Sequence, residues 1–468
     1  MTLSCSSLWK FSAAELTEAF ASGEATPVQA LEDVLKRLDE VNGFLNAVVT
    51  IDLDGARAAA RNSTERWRRG QPIGLLDGVP VSVKDNLFVA GLRATWGSLL
   101  FTDHVAAQDD LPVAALRAAG MVIFGKTNTP EFALSGHTDN RLFGSTGNPW
   151  DASRSAGGSS GGAVAAVAGG IGPLALATDA GGSIRRPSGL AGVVGLKPGL
   201  GRIARRHGFP PLAHDFQVIG PVARCVADLR AIFVAVASEA ARPVTAGRLR
   251  IATFQEFPDA KTAGPLDPAV AAAFSSALDV LRSLGHQVDT VAPFWDPDEA
   301  GAIFAGLTAV GVARIVGGIP DWRKRATPVI AALAEAGQAA GGADYVLLLD
   351  RLAAFRWRVQ DRFRCWDVLA TPVSPTVGWA RDQTGPATIG GAPAHPRAAA
   401  AFSTAVNAAG LAALSIPAPV QDGAMPVGLH LVGPAGSEEM LLDLAAAYEA
   451  IAPWPQLAPL PRPISRNS

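Results

Sequence analysis

Two Gly-Gly-Ser runs, Gly157-Gly158-Ser159 and Gly181-Gly182-Ser183, stand 24 residues apart, and a lysine, Lys84, closes the apolar run Gly78-Val79-Pro80-Val81-Ser82-Val83. These residue types point to acyl transfer. The stretch Asp179-Ala180-Gly181-Gly182-Ser183 has no bulky side chain ahead of its hydroxyl, so successive backbone N–H groups can converge on a developing oxyanion, with Ser183 as the nucleophile at its end. A serine at its ordinary pKa needs a base, and no histidine lies in or near either run. Lys84 can replace it, because burial at a strand end disfavours the charged amine. Holding a lysine neutral at pH 7 costs on the order of 4 to 5 kcal/mol, so such a site must be sealed and rich in hydrogen bonds. Close packing of helix and turn backbones explains one glycine run, but not two together with a strand-end lysine.

Two shorter motifs compete and fail on context. Gly120-Met-Val-Ile-Phe-Gly125-Lys126-Thr127 satisfies the P-loop pattern letter for letter. A P-loop curls between a strand and a helix, whereas here the intervening residues read as the strand itself. Gly157 to Gly161 matches the G-x-S-x-G nucleophile elbow, which requires a buried strand just before it. The preceding Asn148-Pro-Trp-Asp-Ala-Ser-Arg-Ser-Ala is polar and turn-forming. His207, His214, His286, His395 and His430 are read as surface or hydrogen-bonded structural residues. None lies in an H-x-x-x-H pattern and no C-x-x-C occurs, so a metal centre is not expected.

The elements that must position these residues read as α/β. The 468 residues are 49% hydrophobic and 18% charged with a net charge of -2, too apolar for disorder and too neutral to seek nucleic acid. Capping boxes at Ser12/Glu15 and Thr26/Gln29 predict two N-terminal helices. From Gly74 onward short β-branched runs alternate with Ala-rich segments: strands at Val79 to Val83, Met121 to Phe124 and Arg248 to Ala252, helices at Leu111 to Ala119, Ala163 to Ala168 and Pro268 to Leu284. Residues 298–361 read as mostly helical and 370–396 as a Gly/Pro/Thr-rich loop of the kind that shapes a site. Ser238 to Gly247 reads as a linker and the Pro-rich tail after Ala452 as irregular. Ser155 to Thr178 and Ala398 to Gln421 are long uncharged stretches, both read as buried in protein rather than in a membrane. Three widely spaced cysteines (Cys5, Cys225, Cys365) and an N-terminus without a basic, then apolar, signal pattern place the expectation in the cytoplasm.

Taken together, the chain resembles the amidase signature family of serine hydrolases over nearly its whole length. The resemblance rests on Leu76-Asp-Gly-Val-Pro-Val-Ser-Val-Lys-Asp-Asn, Gly125-Lys-Thr-Asn, Asn148-Pro-Trp-Asp, the block Gly157 to Pro198, and Met425-Pro-Val-Gly-Leu-His-Leu-Val-Gly-Pro. It implies a single large α/β/α domain, 1–468, around a mixed, mainly parallel twisted sheet: N-terminal helices over 1–70, a signature core over 71–230, and a second half over 248–468 with a variable helical substrate region. It implies a Ser-cisSer-Lys triad in which Ser183 attacks the carbonyl, Ser159 relays the proton after a cis peptide and Lys84 is the base, with the N–H groups of Ala180, Gly181, Gly182 and Ser183 as the oxyanion hole. No cofactor is implied. The substrate implied is a small-molecule amide, with a homodimer as the one self-assembly considered. Ser135, in a segment that resembles the border of the acyl pocket, is a candidate substrate contact, its alternative being to satisfy a loop backbone. Arg186, three residues past the nucleophile, is the other: a guanidinium there suits a carboxylate, its alternative being a structural ion pair, a role that Arg185 fits better.

Two other functions are weighed. The family includes the catalytic component of glutamyl-tRNA amidotransferase, which hands ammonia to another protein of its complex. The chain departs from that component in having Arg186 where glutamine is usual, and in lacking a Ser-Asn-Leu-Ala-Arg-Tyr-Asp segment, its only tyrosines being Tyr345 and Tyr448. A non-catalytic relative is the second alternative, opposed by the joint presence of Lys84, Ser159 and Ser183.

Overall fold

The computed structural model describes residues 7–239 and 247–460; Cys5, most of the Ser238–Gly247 linker and the end of the Pro-rich tail lie outside them. Helix α1 (Ala13–Ser22) opens on a reciprocal pair in which Ser12 Oγ accepts the Glu15 N–H and the Glu15 carboxylate accepts the Ser12 N–H; Thr26 and Gln29 do the same for α2 (Pro27–Leu45). The apolar residues of α2, Leu31 through Leu45 at helical spacing, are buried against Val122, Phe124 and Ile171, each such side chain contributing about 1.5 to 3 kcal/mol.

The strands in chain order are β1 (Val48–Ile51), β2 (Pro80–Lys84), β3 (Val122–Thr127), β4 (Leu174–Asp179), β5 (Val194–Lys197), β6 (Val218–Ala223), β7 (Arg250–Thr253), β8 (Gln287–Thr290), β9 (Val368–Pro372), the small hairpin β10 (Thr388–Ile389) and β11 (Ala392–Pro393), β12 (Ala412–Pro417) and β13 (Gly428–Gly433). Eleven of them form one sheet in the order β1-β3-β2-β4-β6-β5-β12-β13-β9-β7-β8. The sheet is mixed, as expected, but it is not mainly parallel. Among the described residues only β2 with β3, β2 with β4, β7 with β8 and β7 with β9 run parallel. The central ladders through β6, β5, β12, β13 and β9 are antiparallel. Helical crossovers serve the two flanks; in the middle, β12 meets β13 through a loop too short for the crossover that parallel neighbours need, and β5 meets β6 through a longer loop without a helix.

Helices cover the sheet: α3 (Leu53–Arg68), α4 (Leu111–Ala118), α5 (Gly161–Ala168), α6 (Arg185–Ala191), α7 (Val226–Val236), α8 (Pro268–Ser283), then the expected helical region as α9 (Pro297–Val316), α10 (Trp322–Arg325), α11 (Pro328–Ala339) and α12 (Gly342–Asp361), and finally α13 (Thr404–Ala408) and α14 (Glu438–Ile451). The two uncharged stretches resolve into α5 and β4, and into α13 and β12, every residue of which is buried. Among the described residues α9 alone is long and apolar enough to cross a membrane, and half of its apolar window is buried inside the protein. The strands β2, β3 and β4 are buried on both faces, so polar groups at their ends lie in a water-poor interior.

Candidate active site

Neighbouring strands bring the motif residues together. β2 and β4 run parallel, with Val83 opposite Leu176, so Lys84 at the end of β2 and Asp179 at the end of β4 emerge at the same edge. Lys84 is wholly buried. Its Nζ lies 2.8 Å from Ser159 Oγ and 2.9 Å from Ser160 Oγ. Burial pushes its pKa well below that of an ordinary lysine, against the opposing charge of Asp179.

Ser159 follows a cis peptide bond from Gly158 and stands just ahead of α5. Only glycine fits before it: a Cβ on Gly158 would come within 2.9 Å of the Ser135 carbonyl oxygen, the Gly136 carbonyl carbon and the His137 nitrogen. The next residue joins the two runs, since the Ser160 N–H donates to the Ser183 carbonyl at 3.1 Å and the Ser160 hydroxyl donates to the Thr178 carbonyl at 3.1 Å. Ser159 and Ser183 line one cavity with Thr178, Ala180, Phe132 and Phe304.

Asp179 holds the turn that carries Ser183. Its carboxylate accepts the N–H groups of Gly182 at 2.7 Å and Ile184 at 3.0 Å, and pairs with Arg185 Nε and Nη2 at 3.0 and 2.9 Å. Burial alone would raise this carboxyl; the charge and hydrogen bonds of Arg185, the Ile184 N–H and the charge of Lys197 outweigh it and hold Asp179 far below the ordinary carboxylate range. Asn407 Nδ2 donates to the Asp179 carboxylate and main-chain carbonyl, Asn407 Oδ1 accepts from Arg185, and His430 Nε2 lies 3.0 Å from Arg185 Nη1. Burial and the nearby Arg185 charge keep the His430 imidazole neutral.

One expected donor is otherwise engaged. Because the Gly182 N–H is committed to Asp179, it cannot also serve an oxyanion, and the donors of this turn left without partners among the described residues are the N–H groups of Ala180, Gly181 and Ser183. Gly182 instead supplies the turn, at φ +110°. Ser135 Oγ accepts the His137 N–H at 3.1 Å, which is the backbone-satisfying alternative. Arg185 takes the structural ion pair, while Arg186 has no side-chain hydrogen bond or ion pair among the described residues, and its Nε is shielded from solvent without a partner. Ser160, Asn407 and Phe304 escaped the sequence reading. Ser160 adjoins a recognised motif, but the other two come from distant segments and carry no local signal.

A model of the Amidase family matches residues 29–442. The chain belongs to the amidase signature family. Over 96% of its length this amidase is 34% identical to the A subunit of the glutamyl-tRNA(Gln) amidotransferase from Roseiflexus castenholzii, covering 97% of that protein, and 33% identical to an acylamidase of Rhodococcus erythropolis, again over 96% of this chain and 97% of the relative. Among solved structures it superposes on 6-aminohexanoate cyclic dimer hydrolase complexed with substrate with a TM-score of 0.82 at 28% identity, covering 96% and 98% of the two chains. It superposes on a bacterial aryl acylamidase at 0.85 and 25% identity, covering 95% and 96%. The amidase is thus an amidohydrolase acting on amide C–N bonds. In it the P-loop-like residues Val122 to Thr127 are β3 itself, and among the described residues no strand runs directly into Ser159.

Proposed function

We propose that the amide is cleaved through an acyl-Ser183 intermediate, with Ser159 as proton relay and Lys84 as base. The observation that carries this reading is the fully buried Lys84 amine at 2.8 Å from Ser159 Oγ, in a cavity wall that also holds Ser183. Neutral Lys84 takes the Ser159 hydroxyl proton as Ser159 takes that of Ser183, and Ser183 Oγ attacks the carbonyl carbon. The N–H groups of Ala180, Gly181 and Ser183 receive the oxyanion; a donor of this type is worth about 3 to 4 kcal/mol. On collapse the proton returns through Ser159 to the departing nitrogen, releasing ammonia or an amine. Water then attacks the acyl-serine, gives up a proton along the same path and releases the acid. Arg186 is the proposed substrate contact from the nucleophile turn; the Ser135 hydroxyl satisfies the loop backbone by accepting the His137 N–H. The substrate proposed is a small-molecule amide in the cytoplasm.

Mass spectrometry after treatment with a phosphonofluoridate tests the reading. An adduct on the Ser183 peptide, absent in Ser183→Ala and slowed in Lys84→Ala, is expected, whereas labelling of Ser159 alone would overturn it. The similarity to a component of glutamyl-tRNA(Gln) amidotransferases supports a second reading, ammonia supply to a partner. Ammonia release from simple amides by the purified chain favours the free-standing hydrolase, and release only with a partner favours the amidotransferase component.

A further inference from the structure

Lys84 and Ser159 come from segments 75 residues apart, yet their side chains meet at 2.8 Å. A second route through the structure, running behind the site, joins the two. Lys84 ends β2, and in the parallel β2–β3 ladder it stands opposite Thr127 at the end of β3. The chain leaves β3 through Asn128 and Thr129; Asn128 Oδ1 and the Thr129 carbonyl accept from Asn140 Nδ2 at 2.7 and 2.9 Å. All four of these residues are buried. Asn140 thereby ties the segment 135–140 to the end of the strand beside the one that carries Lys84.

Two residues before Asn140, Thr138 takes hold of the loop that presents Ser159. Its hydroxyl donates to the Gly157 carbonyl at 2.8 Å and accepts the Gly161 N–H at 3.0 Å, and its own N–H donates to the same Gly157 carbonyl at 3.1 Å. One side chain thus pins the residue two before Ser159 and the residue two after it. A hydroxyl has a single proton and spare lone pairs, so this double role uses what threonine has and valine lacks. The neighbouring residues support the clamp: His137 Nδ1 lies 2.7 Å from Ser155 Oγ, which accepts the Gly157 N–H at 3.0 Å. The fit leaves no slack. A Cβ on Gly161 would stand 2.5 Å from Thr138 Oγ1, and one on Gly158 within 2.9 Å of the Gly136 and His137 backbone. Thr138 is wholly buried and is not among the residues that line the cavity with Ser183, so its effect reaches the chemistry through Ser159.

We propose that Thr138 is a positioning residue for amide cleavage: its hydroxyl locks the Ser159 loop to the end of β3, so that the sheet register that places Lys84 also places Ser159 against it. This rests on Ser159 being the proton relay, and the test keeps the two apart. The departing nitrogen of an amide must collect a proton through Ser159, whereas a nitrophenolate leaves without one, so a displaced Ser159 penalises amides more than activated esters. Butyramide and 4-nitrophenyl butyrate, which share one acyl group, are compared in the wild type, Thr138→Val, Thr138→Ser and Ser159→Ala, on protein verified as folded by circular dichroism. Thr138→Val keeps the shape and removes the hydroxyl. It is expected to lower kcat on butyramide by about 10- to 100-fold with KM within about twofold, and to cut the amide-to-ester ratio of kcat/KM by about fivefold or more. Thr138→Ser restores the hydroxyl and is expected to return both rates to within about threefold of the wild type. If Thr138→Val does not fold, Thr138→Cys, whose thiol is a weaker donor, should show the same split in milder form. A merely structural loss removes active protein and lowers both substrates by one factor. That result, or wild-type butyramide turnover in Thr138→Val while Ser159→Ala is impaired, would overturn the role of Thr138 and leave the relay standing. Wild-type turnover in Ser159→Ala would overturn the relay, and this proposal with it.

Discussion

The Ser160 hydroxyl meets Lys84 as an acceptor, because its own proton is committed to the Thr178 carbonyl at 3.1 Å. A hydroxyl has one proton to give. One N–H of the Lys84 amine is therefore directed to Ser160, 2.9 Å away, which leaves the amine's other positions, the lone pair of the neutral form among them, for Ser159 at 2.8 Å. In the proposed mechanism Ser160 is a positioning residue that acts through Lys84.

Ser160→Ala should accordingly lower kcat by about 10- to 100-fold with KM nearly unchanged, since a misaimed proton acceptor costs turnover rather than binding. Steady-state kinetics on one amide, with the Ser183 labelling rate alongside, measures the split. A parallel rise in KM would contradict the positioning role.

The depressed Lys84 pKa gives a signed pH dependence. The proposed mechanism needs the neutral amine, so kcat/KM should rise with pH and level off well below the ordinary lysine value of 10.5. The folded protein binds fewer protons than the unfolded chain between the two pKa values, so Lys84 makes stability increase with pH across that window. Lys84→Met should abolish turnover, lose that part of the slope and melt higher than the wild type at about pH 7. Thermal melts at a series of pH values check the sign.

Asp179→Asn removes the anion from a fully buried Arg185 and loosens the N–H groups of Gly182 and Ile184. Breaking a buried pair from one side typically costs about 3 to 5 kcal/mol, so denaturant unfolding should show a loss of that order. Asn407→Ala, which leaves the ion pair in place, should cost less, about 1 to 3 kcal/mol.

Gly182→Ala tests the turn itself. At φ +110° an alanine is strained, and its Cβ would strike Ser403 Oγ and stand 2.7 Å from Arg186 Nε. We expect at least a hundredfold loss of activity, on the order of the cost of an oxyanion donor, because the turn that presents Ser183 must move. Labelling kinetics on folded protein, verified by circular dichroism, measures it.

Much of this site was legible because its chemistry is local. The turn Asp179 to Ser183, the glycine at 158 and the strand-end lysine each announce themselves within a few residues, and the capping boxes at Ser12 and Thr26 define helix starts by side-chain reach alone. What escaped depends on contacts between residues far apart in the chain. The commitment of the Gly182 N–H to Asp179 reassigns an expected oxyanion donor, and only the folded turn reveals it. Asn407 and Phe304 join the site from the second half through tertiary packing, with no spacing to mark them, whereas His430 is the hydrogen-bonded structural residue expected. The antiparallel centre of the sheet was missed for the same reason: alternating segments reveal strands, not which neighbour each one meets.

The strand order also governs how the protein is made on the ribosome. Among the described residues β12 and β13 follow every other strand of the sheet in the chain, yet they form the seam between β5 and β9. Until they emerge, β1 to β6 and β7 to β9 are two unjoined rafts, the β5 edge has no neighbour on that side, and Arg185 lacks both Asn407 and His430. The nascent chain thus carries Lys84, Ser159 and Ser183 long before the sheet around them can close, and Arg185 gains its last partners only once α13 and β13 have emerged.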